Sequence, residues 1–265
     1  LVAGKMPFFF FFSTSFGTAG TGGFGIKNSS IAGYSEYIQW VVTIFMIMFG
    51  VNFNAYYLLL FRQFRKAFSM EEVRWFLITI AVSVGIVFVN IYHLYNSVEQ
   101  ALSKAAFQVA SIITTTGFST ADFNEWPINA KMVLVLLMFV GACAGSTGGG
   151  IKVSRFIVAL KTVVKEFKSY IHPKSVNKIK LDGKPVEHEV IRSTNVYLIT
   201  FIVVFVGSMF LISFEDKDLT TNFTAVAATI NNIGPGLELV GPTQNFGFFG
   251  SLSKYVLMFD MLAGR

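Results

Sequence analysis

Apolar runs of two lengths alternate along this chain, separated by polar or glycine-rich breaks. The long runs Ile38–Phe61, Trp75–Tyr92 and Val196–Phe214 match the roughly 17–25 residues that a helix needs to cross a bilayer. The short runs Phe8–Phe16, Leu102–Ile113 and Leu219–Thr229 cannot cross, and each leads into a polar, glycine-containing stretch: Gly17–Gly25, Ile112–Thr120 and Ala228–Gly236. Ile128–Leu160 has the opposite problem, since as one helix it would be about 50 Å long against a hydrocarbon core of about 30 Å. Its middle, Gly141–Gly150, reads Gly-Ala-Cys-Ala-Gly-Ser-Thr-Gly-Gly-Gly, and each interior glycine costs roughly 1 kcal/mol relative to alanine. A broken helix is predicted there. Phe248–Arg265 begins a last span. The recurring unit is span, re-entrant helix, extended strand, span. It predicts an all-α membrane protein of repeated units around a central pore, with irregular backbone at membrane depth only where protein or a water-filled cavity satisfies it.

Composition agrees. Of 265 residues, 53% are apolar and 14% charged, where soluble domains carry about 25% charged residues. A net charge of +6 could suggest a nucleic-acid partner. Here, however, the basic residues fall between apolar runs, in 62–74 and in Lys161–Arg192, which holds Lys161, Lys165, Lys168, Lys174, Lys178, Lys180, Lys184 and Arg192. That is topological bias, and it places both loops in the cytoplasm of a multi-pass protein of the cell (inner or plasma) membrane, with lipid and not nucleic acid as its partner. The opposite loops carry Glu99, Asp122, Glu125, Glu215, Asp216 and Asp218. The number of crossings agrees only if the three short segments enter and leave on the outer face. Asp182-Gly183 is a plausible hairpin turn. Cys143, the single cysteine, lies in an apolar run. The chain begins without Met and ends inside an apolar run, so a fragment is expected.

A re-entrant helix that starts outside points its carbonyl end, carrying about half a negative charge, at the membrane centre. The strand that returns outward then lines a cavity with carbonyls and threonine hydroxyls. Such hard, neutral oxygens can replace the water shell of a monovalent cation and still release it, whereas carboxylates would suit divalent ions and are absent from these stretches. Glycine allows the positive φ that turns carbonyls to the axis. Aligning Gly23, Gly117 and Gly234 sets Thr21-Gly22, Thr115-Thr116 and Asn232-Ile233 ahead of them. With Thr114 and Asn231, these are the candidate ion-selectivity filter. Plainer readings stand beside this one. Thr114–Thr116 could be an ordinary polar loop, and the glycines of 145–150 could serve close helix packing. Gly145–Lys152 fails as a phosphate loop because Ile151 separates Gly150 from Lys152 and no Ser or Thr follows the lysine. Asn52 and Asn54, in mid-run, suit bonds to neighbouring helices. His93, His172 and His188 lack metal-ligand spacing.

Four motifs carry a family resemblance: Thr115-Thr116-Gly117-Phe118, Thr21-Gly22-Gly23-Phe24, Asn232-Ile233-Gly234-Pro235-Gly236 and Gly145-Ser146-Thr147-Gly148-Gly149-Gly150-Ile151-Lys152. The chain resembles the TrkH/KtrB superfamily of potassium-transporting subunits, relatives of plant HKT transporters, over essentially its whole length. That family has four pore repeats, and this sequence resembles repeats two to four. The resemblance implies a second repeat over 1–66, a third over 67–170 with its inner span broken at 141–150, a cytoplasmic loop over 171–192 and a truncated fourth repeat over 193–265. It implies potassium as the transported ion, no covalent cofactor and no catalysed chemistry. Gly145, Ser146, Thr147, Gly148, Gly149, Gly150 and Lys152 would form an intramembrane gate below the filter, with Arg265 facing the pore near that loop. A homodimer and a cytoplasmic ring of nucleotide-binding regulatory (RCK/KTN) subunits are implied partners, for which Lys161–Arg192 could be a docking surface. Two other classes compete. A secondary transporter of a small solute or sodium would also use discontinuous helices. A membrane enzyme built on the Gly-Ser-Thr-Gly loop would need a base, and no His, Asp or Glu cluster lies at membrane depth.

Overall fold

The computed structural model describes residues 1, 4, 6–25, 27, 29–172 and 178–265; Lys174 lies outside them. Its described elements are helices apart from one two-stranded ribbon, in the order α1 (Phe8–Ala19), α2 (Glu36–Gly50), α3 (Phe53–Leu60), α4 (Phe64–Ser69), α5 (Glu71–Ile91), α6 (Val98–Ile113), α7 (Ile128–Val140), α8 (Val153–Ile171), β1 (Lys180–Leu181), β2 (Lys184–Pro185), α9 (His188–Ile212), α10 (Leu219–Ile230) and α11 (Ser251–Gly264). The three short apolar runs are the short helices α1, α6 and α10. Helices α5 and α9 are long and apolar enough to cross a membrane. Their outer faces fit a lipid solvent: Ile199, Ile202, Val203, Val206 and Phe210 of α9 are each more than half exposed, an arrangement that water would penalise.

Ile38–Phe61 is not one straight span. Helix α2 ends at Gly50, α3 restarts at Phe53, and the two axes differ by 93°. Asn52 explains the restart, since its side chain accepts from the Asn54 N–H at 2.9 Å and caps α3. The carbonyls freed at the break are taken up by the 141–152 loop: Cys143 N–H donates to Gly50 O at 3.0 Å and Thr147 N–H to Phe49 O at 3.4 Å. The predicted break in Ile128–Leu160 is present, between α7 and α8.

Three units follow one another: α1 with α2–α3, then α5 to α8, then α9 to α11. The inner helix of one unit packs on the short helix of the next, α2 against α6 and α7 against α10, so the units are set side by side in one sense. Helix α6 is the most enclosed of the three, buried without interruption from Ala105 to Thr116. The Asp182-Gly183 turn joins β1 to β2 with φ of +51° and +76°, as the sequence pattern predicts. Asp182 Oδ1 also accepts from the Glu71 N–H at 2.6 Å, and Lys161 of α8 pairs with the Glu71 carboxylate at 2.5 Å. The ribbon is thereby tied to the start of α5.

Candidate functional site

Each short helix ends in the same way. The amides of Gly20, Thr114 and Asn231 still bond four residues back, to Phe16, Ala110 and Ala227. The next residue, Thr21, Thr115 or Asn232, is left-handed, with φ of +48°, +57° and +56°. The amide after it closes a six-residue ring: Gly22 to Gly17 at 2.9 Å, Thr116 to Ser111 at 2.9 Å and Ile233 to Ala228 at 2.8 Å. This is a Schellman-type ending, and a β-branched residue at its left-handed position is uncommon. Two residues on, Gly23, Gly117 and Gly234 are again left-handed, at +63°, +82° and +111°. The alignment made on glycines alone therefore matches backbone conformation residue for residue. It missed the left-handed threonines, although their place directly after a helix cap was the available signal.

The three strands converge. A Cβ on Gly23 would collide with the Thr116 carbonyl oxygen, and one on Gly117 with the Ile233 carbonyl oxygen. The same contact thus recurs from the first unit to the second and from the second to the third. All three glycines line one cavity of about 230 Å³, together with Ser119 and Pro235. Among the described residues, none donates a hydrogen bond to the carbonyls of Thr21, Gly22 and Gly23, of Thr115, Thr116 and Gly117, or of Asn232, Ile233 and Gly234. Strands without a ladder leave such oxygens for another partner.

The threonine hydroxyls each have a protein partner. Thr114 Oγ1 donates to Ala110 O at 2.6 Å and lies 2.8 Å from the Thr116 hydroxyl. Thr21 Oγ1 donates to Thr147 O at 2.8 Å, and Thr115 Oγ1 accepts from Gly149 N–H at 2.6 Å. In the third unit, Asn232 Nδ2 donates to Met261 O at 3.1 Å. These three equivalent side chains therefore turn away from the cavity that the glycines line, Thr21 and Thr115 toward the 141–152 loop and Asn232 toward α11.

Thr21 and Thr115 both reach the 141–152 loop. Its left-handed residues are Gly141, Gly145, Gly150 and Lys152. A Cβ on Gly148 would come within 3.0 Å of Thr114 O, and one on Gly149 within 2.7 Å of Asn231 O. The glycines therefore let the loop lie directly against the starts of two strands. Arg265 Nη2 donates to Thr147 O at 3.2 Å, and Lys152 Nζ donates to Gly148 O. Ser146 Oγ donates to Cys143 O at 2.6 Å within the loop. Ser146, Thr147, Gly148, Gly149, Gly150, Lys152 and Arg265 line a second cavity of about 440 Å³ that also touches Gly20. The structure thus gathers every candidate gate residue except Gly145 at one cavity. Gly145 instead backs onto Asn52, with its carbonyl accepting from Phe53 N–H at 3.0 Å.

Sequence reasoning missed Glu72. Lying in the basic stretch 62–74, it was indistinguishable from loop surface. It is 5% exposed, in the first turn of α5, and its carboxylate accepts from Ala144 N–H at 2.6 Å, Ser154 N–H at 3.1 Å and Asn52 Nδ2 at 3.2 Å. Asn52 is thus bonded to a neighbouring helix, as its mid-run position suggested.

Comparison with known proteins identifies the family. The family model described as TrkH, "Cation transport protein", matches residues 3–265. The chain is 33% identical to the Trk system potassium uptake protein TrkH of Salmonella typhimurium over 98% of its own length and 54% of that protein's. It is also 33% identical to the Escherichia coli K12 protein of the same name, over 95% of this chain and 52% of that one. The crystal structure of the potassium transporter TrkH from Vibrio parahaemolyticus superposes with a TM-score of 0.90 at 33% identity, covering 100% of this chain and 57% of that chain. The chain spans about half the length of the curated relatives it matches. Its sequence and its fold make it a member of the TrkH family of cation transport proteins.

Proposed function

We propose that this chain supplies three pore units of a potassium-uptake pathway in the cell membrane, with residues 1–66, 67–170 and 193–265 as the units and 171–192 as a cytoplasmic loop. The carrying observation is the set of carbonyls along three converging strands that share one left-handed pattern and have no hydrogen-bond donor among the described residues. Carbonyls held so by helix caps and glycines form a ring of neutral oxygens, which suits a dehydrated monovalent cation and lets it leave again. The carbonyl ends of α1, α6 and α10 add their dipoles at the inner end of the strands. Thr21, Gly22, Gly23, Thr114–Gly117 and Asn231–Gly234 are the filter in this reading. The 145–150 loop, with Lys152 and Arg265, is the gate, because it lies across the inner ends of those strands at the second cavity, which Lys152, Arg155 and Arg265 line with three cations. The relatives are named for potassium uptake. A homodimer and a cytoplasmic nucleotide-binding regulatory subunit complete the proposal, the latter docking on the basic 161–192 segment.

The test is ion flux from the full-length protein in liposomes, comparing potassium, rubidium and sodium. Preference for potassium and rubidium over sodium is expected. Equal flux of all three, or saturable exchange of an organic solute, would refute the reading.

A further inference from the structure

Three breaks in regular backbone meet at one side chain. The α2–α3 bend offers the Asn52 amide, the entry to the loop offers the Ala144 N–H, and the first turn of α8 offers the Ser154 N–H. Helix α8 has no side-chain cap of its own, and its N-cap is the left-handed Lys152. A buried carboxylate from a neighbouring helix therefore does the capping, at the positive end of the helix dipole. The same oxygen, Oε1, holds Ala144. One atom thus fixes where the loop leaves its entry and where the chain resumes helix, while residues 145–150 between them touch the strands.

We infer that Glu72 is a positioning residue that latches both ends of the loop in its closed register, leaving only the glycine-rich tip free to move. This rests on the reading of 145–150 as the gate. With the carboxylate in place, the tip is held against Thr114 and Asn231 by a fixed base. Without it, the Ala144 and Ser154 amides lose a charge-assisted acceptor, the base shifts and the tip withdraws.

The assay is potassium, rubidium and sodium flux from the full-length protein in liposomes, without any cytoplasmic partner. E72Q preserves size and removes the charge. It is expected to raise basal potassium flux roughly tenfold, the change that losing a hydrogen bond to a charged group gives, with ion preference unchanged. Parental basal flux, or lost ion preference, would overturn the inference. Adding N52D to E72Q returns a carboxylate to the bond across α3 and α5 but not to Ala144 and Ser154, so the leak is expected to persist; recovery would reduce Glu72 to a helix-packing contact and overturn the latch. Should E72Q not reach the membrane, E72D keeps the charge on a shorter arm and is expected to leak less but in the same direction, and parental flux there refutes the latch. G148A, whose added Cβ would meet Ala142 Cβ first and Thr114 O next and so displace the tip, separates the two ideas. Unchanged gating in G148A sinks the gate itself, whereas altered gating in G148A beside parental flux in E72Q sinks only the latch.

Discussion

At the scale of single residues, the site is a matter of which backbone angles a side chain allows. Gly117 stands at φ +82°, and its α-hydrogen side faces the Ile233 carbonyl oxygen. Alanine there would meet left-handed strain of roughly 1–2 kcal/mol and a collision with the very oxygen that is read as an ion ligand. G117A is expected to lose its preference for potassium over sodium in liposome flux while the protein still inserts in the membrane. Intact preference with normal flux would remove this glycine from the filter. The threonines show what sequence could and could not reveal here. Their presence marked the stretch, but the use of their hydroxyls depended on a left-handed backbone at Thr21 and Thr115. No local rule assigns that conformation to a β-branched residue.

At the scale of elements, α6 and α10 are each fixed at both ends, by a side-chain cap at the start and a left-handed turn at the finish. Helix α10 starts at Asp218, whose carboxylate accepts from the Thr221 N–H at 2.8 Å. Partial burial pushes the Asp218 carboxyl up, but hydrogen bonds from Thr221 and from nearby backbone outweigh it and hold the group below the ordinary carboxylate range. A carboxyl that is more acidic folded than unfolded stabilises fully above its unfolded pKa of about 3.9, and that contribution fades as pH falls through the folded value. D218A is therefore expected to cost about 1 kcal/mol at pH 7 as a lost cap. The gap between parent and variant in thermal unfolding in detergent should narrow as pH falls below the unfolded value and close once the folded carboxyl is protonated. A gap that is constant with pH would show that the charge is not what caps α10. Element existence was largely legible: the three short helices, the break in Ile128–Leu160 and the ribbon turn all follow from run length, glycine content and turn chemistry. The 93° bend between α2 and α3 was not. Its cause is the loop of the next unit, which bonds the free carbonyls of Phe49 and Gly50 from about a hundred residues away in sequence.

At the scale of the whole molecule, charge asymmetry and helix direction make one topological statement. The ribbon at Asp182-Gly183 and the loop at Asp216 should lie on opposite sides of the membrane. Cysteines placed singly at 182 and 216 are expected to react with a membrane-impermeant maleimide from the cytoplasmic side and the outer side, respectively. Cys143 is fully buried and should stay silent, which keeps the background low. Labelling of both sites from one side would invert or break the proposed threading. The same scale explains why Glu72 escaped notice. Its neighbour Glu71 pairs with Lys161 and takes its cap from Asp182, so α5 begins earlier than its apolar run and carries a carboxylate into the protein interior.

The sequence alone determined the kind of solvent, the order of long and short apolar segments, and the places where glycine had to relax the backbone. Those follow from transfer energetics, helix rise and steric limits, which act locally. Tertiary structure alone decided which oxygens face the common cavity, how the loop lies across the strands and which acid holds its ends. Each of these is a contact between units far apart in the chain, set by packing and by the need to satisfy buried amides. Composition and periodicity carry no record of such partners.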